Sequence, residues 1–310
     1  MKKEKKSRRS MRESGSKSAK NASVGKKHDD SFLRKVYKAS FLRENQQHLS
    51  VIISVYNEEE TIGALLKSVK KLNPKEIIVI ENGSTDQTLD VCLDHGVKCI
   101  SYPFRLGHDV GRAIGAREST GDVLLFLDGD IVFSSKDLAP FVAACYEGVD
   151  LALNDVNPFY TNTELLDYVS LAKAFLNKSL LHSELGYASL TAVPNAMRRS
   201  AVELIGYNNL AVPPKAQAMA AILGLSIRCV HFVNVFKPNK VRLYNSTENN
   251  RVEQMILGDH IEAIEWARSV KGDRVFFADH LRRREILDQL SHSLLTSEDQ
   301  LLFSPTQGPN

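Results

Sequence analysis

In the stretch 123-VLLFLDGDIVF-133, five apolar residues run directly into Asp128-Gly129-Asp130 before apolar residues resume. Two carboxylates at the end of a segment buried on both faces repel each other and are expensive to desolvate. They need a counter-charge or a wet cleft, and paired carboxylate oxygens are suited to a hard divalent cation. Two further polar clusters also follow apolar runs: Tyr56-Asn57-Glu58-Glu59-Glu60 and Glu81-Asn82-Gly83-Ser84-Thr85-Asp86. Singly, each has a plain structural explanation. Acidic residues suit a helix's first turn, Ser, Thr or Asp caps a helix, and Asp-Gly is a common turn dipeptide. Their shared placement at successive strand ends is what points to a ligand.

The elements that must position them follow from periodicity. Strands are expected at 49–56, 76–80, 97–102, 122–128 and 149–155, alternating with helices at 58–72, 88–96, about 108–119 and 135–148. The apolar runs are continuous rather than alternating, the mark of a parallel sheet covered on both faces. Ligands of such sheets bind beyond the carboxyl ends of the strands. Beyond residue 156 the regularity fades. Helices are expected over 161–181, 252–270 and 278–295, a loop feeding a short helix over 192–207, and a helix, a glycine and a strand over 217–233.

The ordered set SVYNEEETI, IIVIENGSTDQT and LGHDVGRAIGARESTGDVLLFLDGD resembles the nucleotide-sugar-binding half of family 2 glycosyltransferases of the GT-A fold, over about residues 49–155. The resemblance implies a Rossmann-like, mostly parallel α/β sheet with helices on both faces and a more helical C-terminal part. It implies a nucleoside-diphosphate sugar lying over the strand ends, with Val55, Tyr56 and Glu58 at the nucleoside and Asn82 at the base. Asp128 and Asp130 would handle the ribose or a Mg2+ or Mn2+ on the diphosphate, and Arg112 the diphosphate itself. A cation bridging carboxylate and phosphate oxygens would also neutralise the strand-end pair. Arg112 has an equally plain alternative as a surface helix arginine. Gly111 and Gly115 would permit close approach to a ligand or tight helix–sheet packing.

The expected domain division is a basic tail over 1–30, a nucleotide-sugar-binding half over 31–155 and an acceptor-side half over 156–245. A helical extension over 246–295 and a frayed end over 296–310 complete it.

Two departures stand out. The acidic pair usual after the second strand is Glu81-Asn82 here. The acid pair that supplies the family's general base falls on Val212-Pro213, and no carboxylate lies between Glu203 and Gly224. Glu184, Asp259 and His260 are the substitute candidates for the base, and a histidine could alternatively complete a metal shell. The expected activity is therefore metal-dependent, inverting transfer of a sugar to an acceptor that is a glycan, a lipid phosphate or a protein. The competing expectation is a catalytically weak or inactive binding or scaffold module of the same fold. A nucleotidyltransferase is disfavoured by the acidic loop SVYNEEE.

Residues 1–28 carry eleven Lys/Arg against Glu4 and Glu13, in a chain whose net charge is +3. So polar a stretch suits either a solvated tail or an anchor on an anionic membrane, with nucleic acid disfavoured. Cys92, Cys99, Cys145 and Cys229 show no disulfide or metal spacing and read as small buried hydrophobes of a reducing compartment. No apolar run approaches the roughly 18–20 residues that span a bilayer, and the N-terminus lacks a signal-peptide core. The expected location is the cytoplasm, with peripheral contact at the inner membrane face through the tail as its extension.

Overall fold

The computed structural model describes residues 48–161, 166–235, 251–287 and 289. The basic N-terminal stretch and the end 296–310 lie outside the described residues. Among the described residues seven strands, numbered β1 to β7 in chain order, form one sheet in the order β3-β2-β1-β4-β6-β5-β7. β1 (Leu49–Val55), β2 (Glu76–Asn82), β3 (Lys98–Tyr102) and β4 (Val123–Asp128) are parallel, joined by α1 (Ile62–Val69), α2 (Thr88–Asp94) and α3 (Val110–Glu118). The rest comprises α4 (Ser135–Tyr146), β5 (Leu151–Asn154), α5 (Tyr168–Ser179), β6 (Asn195–Arg198), α6 (Arg199–Ile205), α7 (Pro213–Ile222), β7 (Ile227–His231) and α8 (Arg251–Lys271).

The continuous apolar runs are explained by two covered faces. Odd positions of β1, from Leu49 to Val55, pack with Ile62, Leu65, Leu66 and Val69 of α1 and Phe141 of α4. The other face receives α3 at unusually short range. A Cβ on Gly111 would lie 2.7 Å from Ser54 Oγ, and one on Gly115 would collide with Ile52 Cγ2. Of the two roles open to these glycines, the structure supports helix–sheet packing.

Three expectations need correction. The segment 192–207 is not simply a loop before a helix: Asn195–Arg198 is a strand, antiparallel to β4 and β5. Four residues flanked by strands on both sides need no pattern of their own to pair. α5 begins at Tyr168, where Asp167 accepts a hydrogen bond from Ser170 N and caps it. Residues 278–283 are not helical, while 284–287 are. Most of the expected stretch 288–295 lies outside the described residues. No helix among the described residues is long and apolar enough to cross a membrane.

Candidate active site

The strand order reverses direction between β1 and β4, the place where open α/β sheets bind ligands. Register brings Ser54 beside Asp128 and Val55 beside Glu81. Over these ends opens a cleft of about 300 Å3, lined by Val55, Tyr56, Glu58, Asn82, Arg112, Asp128 and Asp130. Every nucleotide-side and metal residue singled out in the sequence thus lines one cleft. α8 lines it too, through Val252, Met255 and Ile256. Ser54 Oγ and Thr191 Oγ1, both of cleft-lining residues, are buried and have no hydrogen-bond partner among the described residues.

The loops after β1 and β2 hold each other. Asn57 N donates to Ser84 Oγ (3.1 Å), Glu58 N to Thr88 Oγ1 (2.8 Å) and Glu59 N to Asp86 Oδ2 (3.3 Å). In return Thr85 N donates to Asn57 Oδ1 and Gln87 N to Glu59 Oε2, each at 2.8 Å. Glu81 accepts from Ser84 N and Ser101 Oγ. The Asn82 amide is also engaged with the chain: Nδ2 donates to Gly107 O at 3.1 Å and Oδ1 accepts from Leu106 N. Asn82 lines the cleft but its amide braces the loop before α3. That loop places the Arg105 guanidinium 3.9 Å from the centre of the Tyr56 ring.

Arg112 is 7% exposed, which removes the surface-arginine alternative. Nη1 lies 2.9 Å from Asp109 Oδ1 and donates to Leu190 O at 3.0 Å, while Nη2 lies 3.3 Å from both Asp128 oxygens. Burial works against the guanidinium's charge, but Asp109 and Asp128 outweigh it and hold its pKa above the ordinary value. Burial pushes the Asp109 carboxyl up, Arg112 opposes this, and Asp128 adds to the rise. Part of the strand-end charge is therefore neutralised inside the protein by the Arg112 guanidinium rather than by a metal ion.

No group of three or more His, Cys, Asp or Glu side chains able to hold a metal ion occurs among the described residues. Asp128 and Asp130 fit the habit of Mg2+, which takes one or two carboxylates and completes its shell with phosphate oxygens and water.

The three base candidates separate. Asp259 is not itself among the residues lining the cleft, but it lies one turn beyond Ile256, on the face of α8 that carries Val252, Met255 and Ile256. Burial, then the neighbouring Asp109 and Glu262, raise its carboxyl to about 6. His260 instead turns inward: it is 2% exposed, its Nδ1 is 2.7 Å from Ile256 O, and burial takes its pKa down to about 4. Glu184 is exposed and paired with His182 Nδ1 at 2.7 Å, and it is not among the residues lining the cleft. Burial works to raise its carboxyl, but the His182 contact outweighs it and the pKa falls. Sequence reasoning missed Arg105, Asp109, Thr191 and the α8 wall. For the last, the spacing of Val252, Met255 and Ile256 was the available signal.

Residues 50–204, half of the chain, match the family model described as glycosyl transferase family 2. The chain belongs to that family. It is similar to glucosyl-3-phosphoglycerate synthase of Mycolicibacterium smegmatis, 32% identical over 120 residues, covering 33% of this chain and 38% of the relative. The chain spans less than half the length of the curated relatives it matches. Among solved structures it is similar to glucosyl-3-phosphoglycerate synthase from Mycobacterium tuberculosis in complex with UDP. That likeness has a TM-score of 0.54 at 18% identity and covers 82% of this chain and 86% of that one. The same enzyme in complex with Mg2+ and UDP gives 0.51 at 19% identity, covering 80% and 85%. At these identities the likeness establishes the fold, which is GT-A.

Proposed function

We propose that the protein is a metal-dependent glycosyltransferase, moving a sugar from a nucleoside-diphosphate sugar to an acceptor hydroxyl. The observation that carries this is the joining of Val55, Tyr56, Glu58, Asp128 and Asp130 in one cleft that α8 also lines. Family membership and the solved relatives holding UDP with Mg2+ support it. Asp130 and Asp128 would hold the cation, whose chemistry is to offset charge on the diphosphate as it leaves. Tyr56 and Arg105 flank the nucleoside, while Asn82 fixes the loop that bears Arg105. Arg112 holds the Asp128 carboxylate in place through both of its oxygens.

Transfer requires the acceptor oxygen to attack the anomeric carbon as the bond from that carbon to the diphosphate oxygen breaks. The acceptor proton must go to a base, and Asp259 is our assignment. It lies on α8 one turn beyond the cleft-lining Ile256, with a carboxyl poised near 6, so it is ionised at neutral pH yet basic enough to accept a proton. One base acting in one displacement gives inversion at the anomeric carbon.

The test is release of nucleoside diphosphate from a panel of nucleotide sugars with Mn2+, in wild type, Asp130→Asn and Asp259→Asn. Asp130→Asn should lose metal-dependent nucleotide binding. Asp259→Asn should retain binding but lose about 10²-fold or more in turnover, and wild-type kcat/KM should rise with pH through about 6. Turnover in Asp259→Asn equal to wild type would remove Asp259 from the mechanism. No turnover by wild type with any donor would leave a binding protein.

A further inference from the structure

α5 turns an apolar stripe to the outside. Tyr168, Leu171 and Phe175 are 74%, 51% and 51% exposed, and their spacing of three and four residues puts them on one line. Leu181, just past the helix end, is also 67% exposed. The inward face is conventional, with Leu176 and Leu180 buried against Ala218 of α7 and Ala263 and Ala267 of α8. Phe277 stacks on Phe175, ring centres 6.0 Å apart at 30°. It carries the stripe into the segment where Leu281 is 98% exposed and Ile286 and Leu287 are also exposed. Basic groups border it: Lys178 is exposed, and the Arg282, Arg283 and Arg284 side chains are 57%, 83% and 52% exposed. Asp279, which bridges Arg282 and Arg284, and Glu285 offset them only in part.

We propose that this strip is a docking surface for an anionic lipid bilayer. Tyr168, Leu171, Phe175 and Leu281 would enter the boundary between headgroups and acyl chains, while Lys178 and Arg282–Arg284 meet the phosphates. Apolar side chains bordered by cations are the chemistry of an interfacial segment. Size favours lipid over a second copy. Aromatic side chains of about 150–250 Å2, half exposed, and a few leucines present a few hundred Å2, below the roughly 800 Å2 per partner of a stable interface. Charge favours it too, because the same strip on two copies would set arginines against arginines. α8 packs on α5 with Ala263 and Ala267 and lines the cleft with Val252, Met255 and Ile256, so one helix joins the strip to the active site. The inference does not depend on the transfer reaction.

The experiment is flotation of the full-length protein with vesicles of equal parts phosphatidylglycerol and phosphatidylcholine, and with phosphatidylcholine alone. It is run at low salt and at about 0.5 M, where the long-range attraction of the basic N-terminal stretch is largely screened. Leu171→Glu/Phe175→Glu is compared with Leu93→Glu, a substitution at an exposed leucine of α2, after circular dichroism shows all to be folded. Wild type and Leu93→Glu should keep anionic-vesicle binding at high salt, and the double variant should lose about tenfold or more of it. Equal binding by the double variant overturns the proposal, as does a wild type that binds neither vesicle. A wild-type dimer that the double variant converts to monomer overturns it in favour of a second copy.

Discussion

Arg112→Met tests how the strand-end carboxylates are held. The buried guanidinium contacts Asp109 at 2.9 Å, Asp128 at 3.3 Å and Leu190 O at 3.0 Å. Methionine fills similar space but leaves two nearby carboxylates without their cation and one carbonyl without its donor. Breaking a buried pair in this way costs about 3–5 kcal/mol, a large part of the roughly 5–15 kcal/mol that holds a domain together. The pH dependence gives the sharper signature. Burial already raises the Asp109 carboxyl, and Arg112 is what restrains it. Without Arg112 its folded pKa rises further above the unfolded value, so the folded state of the variant binds more protons than the unfolded chain. Stability is then retained at low pH and lost as pH rises through the folded pKa. The deficit relative to wild type should therefore be smaller at pH near 5 than at pH near 8. Urea unfolding followed by circular dichroism at both pH values measures it. Adding Asp109→Asn should recover part of the loss at the higher pH. A deficit under about 1 kcal/mol, or one independent of pH, would refute the reasoning.

Asn82→Ala frees the loop bearing Arg105, so it should weaken nucleotide binding by about 1–3 kcal/mol to a similar degree for UDP and GDP. Calorimetry showing loss of only one of them would place the amide on the base. Gly115→Ala drives a methyl into Ile52 and should cost about 1–3 kcal/mol in thermal unfolding, with nucleotide affinity falling as α3 shifts. His260, held neutral with its pKa down to about 4, contributes stability present above its unfolded value near 6.5 and lost as pH falls toward 4. His260→Leu should flatten that acid limb by up to about 3 kcal/mol in denaturant titrations, and an unchanged limb would assign it to other groups.

The half of the fold that carries the donor wall was legible because its strands are buried on both faces. β1, β2 and β4 read as uninterrupted apolar runs, and the polar residues that end them could only lie at the sheet's carboxyl edge. β6 was not legible, because Asn195–Arg198 has no pattern of its own and takes its pairing from β4 and β5. Arg112 could be read as a diphosphate contact or a surface arginine, since helical spacing does not reveal that Asp109 and Asp128 converge on it. The bracing role of the Asn82 amide was not legible, because the backbone groups it meets lie 24 and 25 residues further along. Asp259 was one of three equal candidates. Only the packing of α8 over the cleft separates it from His260, its immediate neighbour in sequence.

The mutual grip of the two loops after β1 and β2 bears on how this site can be re-engineered. Six hydrogen bonds run between residues 57–59 and 84–88, donated from both sides. The two loops form a single cassette whose halves are written far apart in the chain. A chimera that imports residues 56–60 from another family member while keeping this chain's 84–88 would mismatch donors and acceptors on both sides at once. Altered donor preference should therefore be sought by exchanging the two segments together.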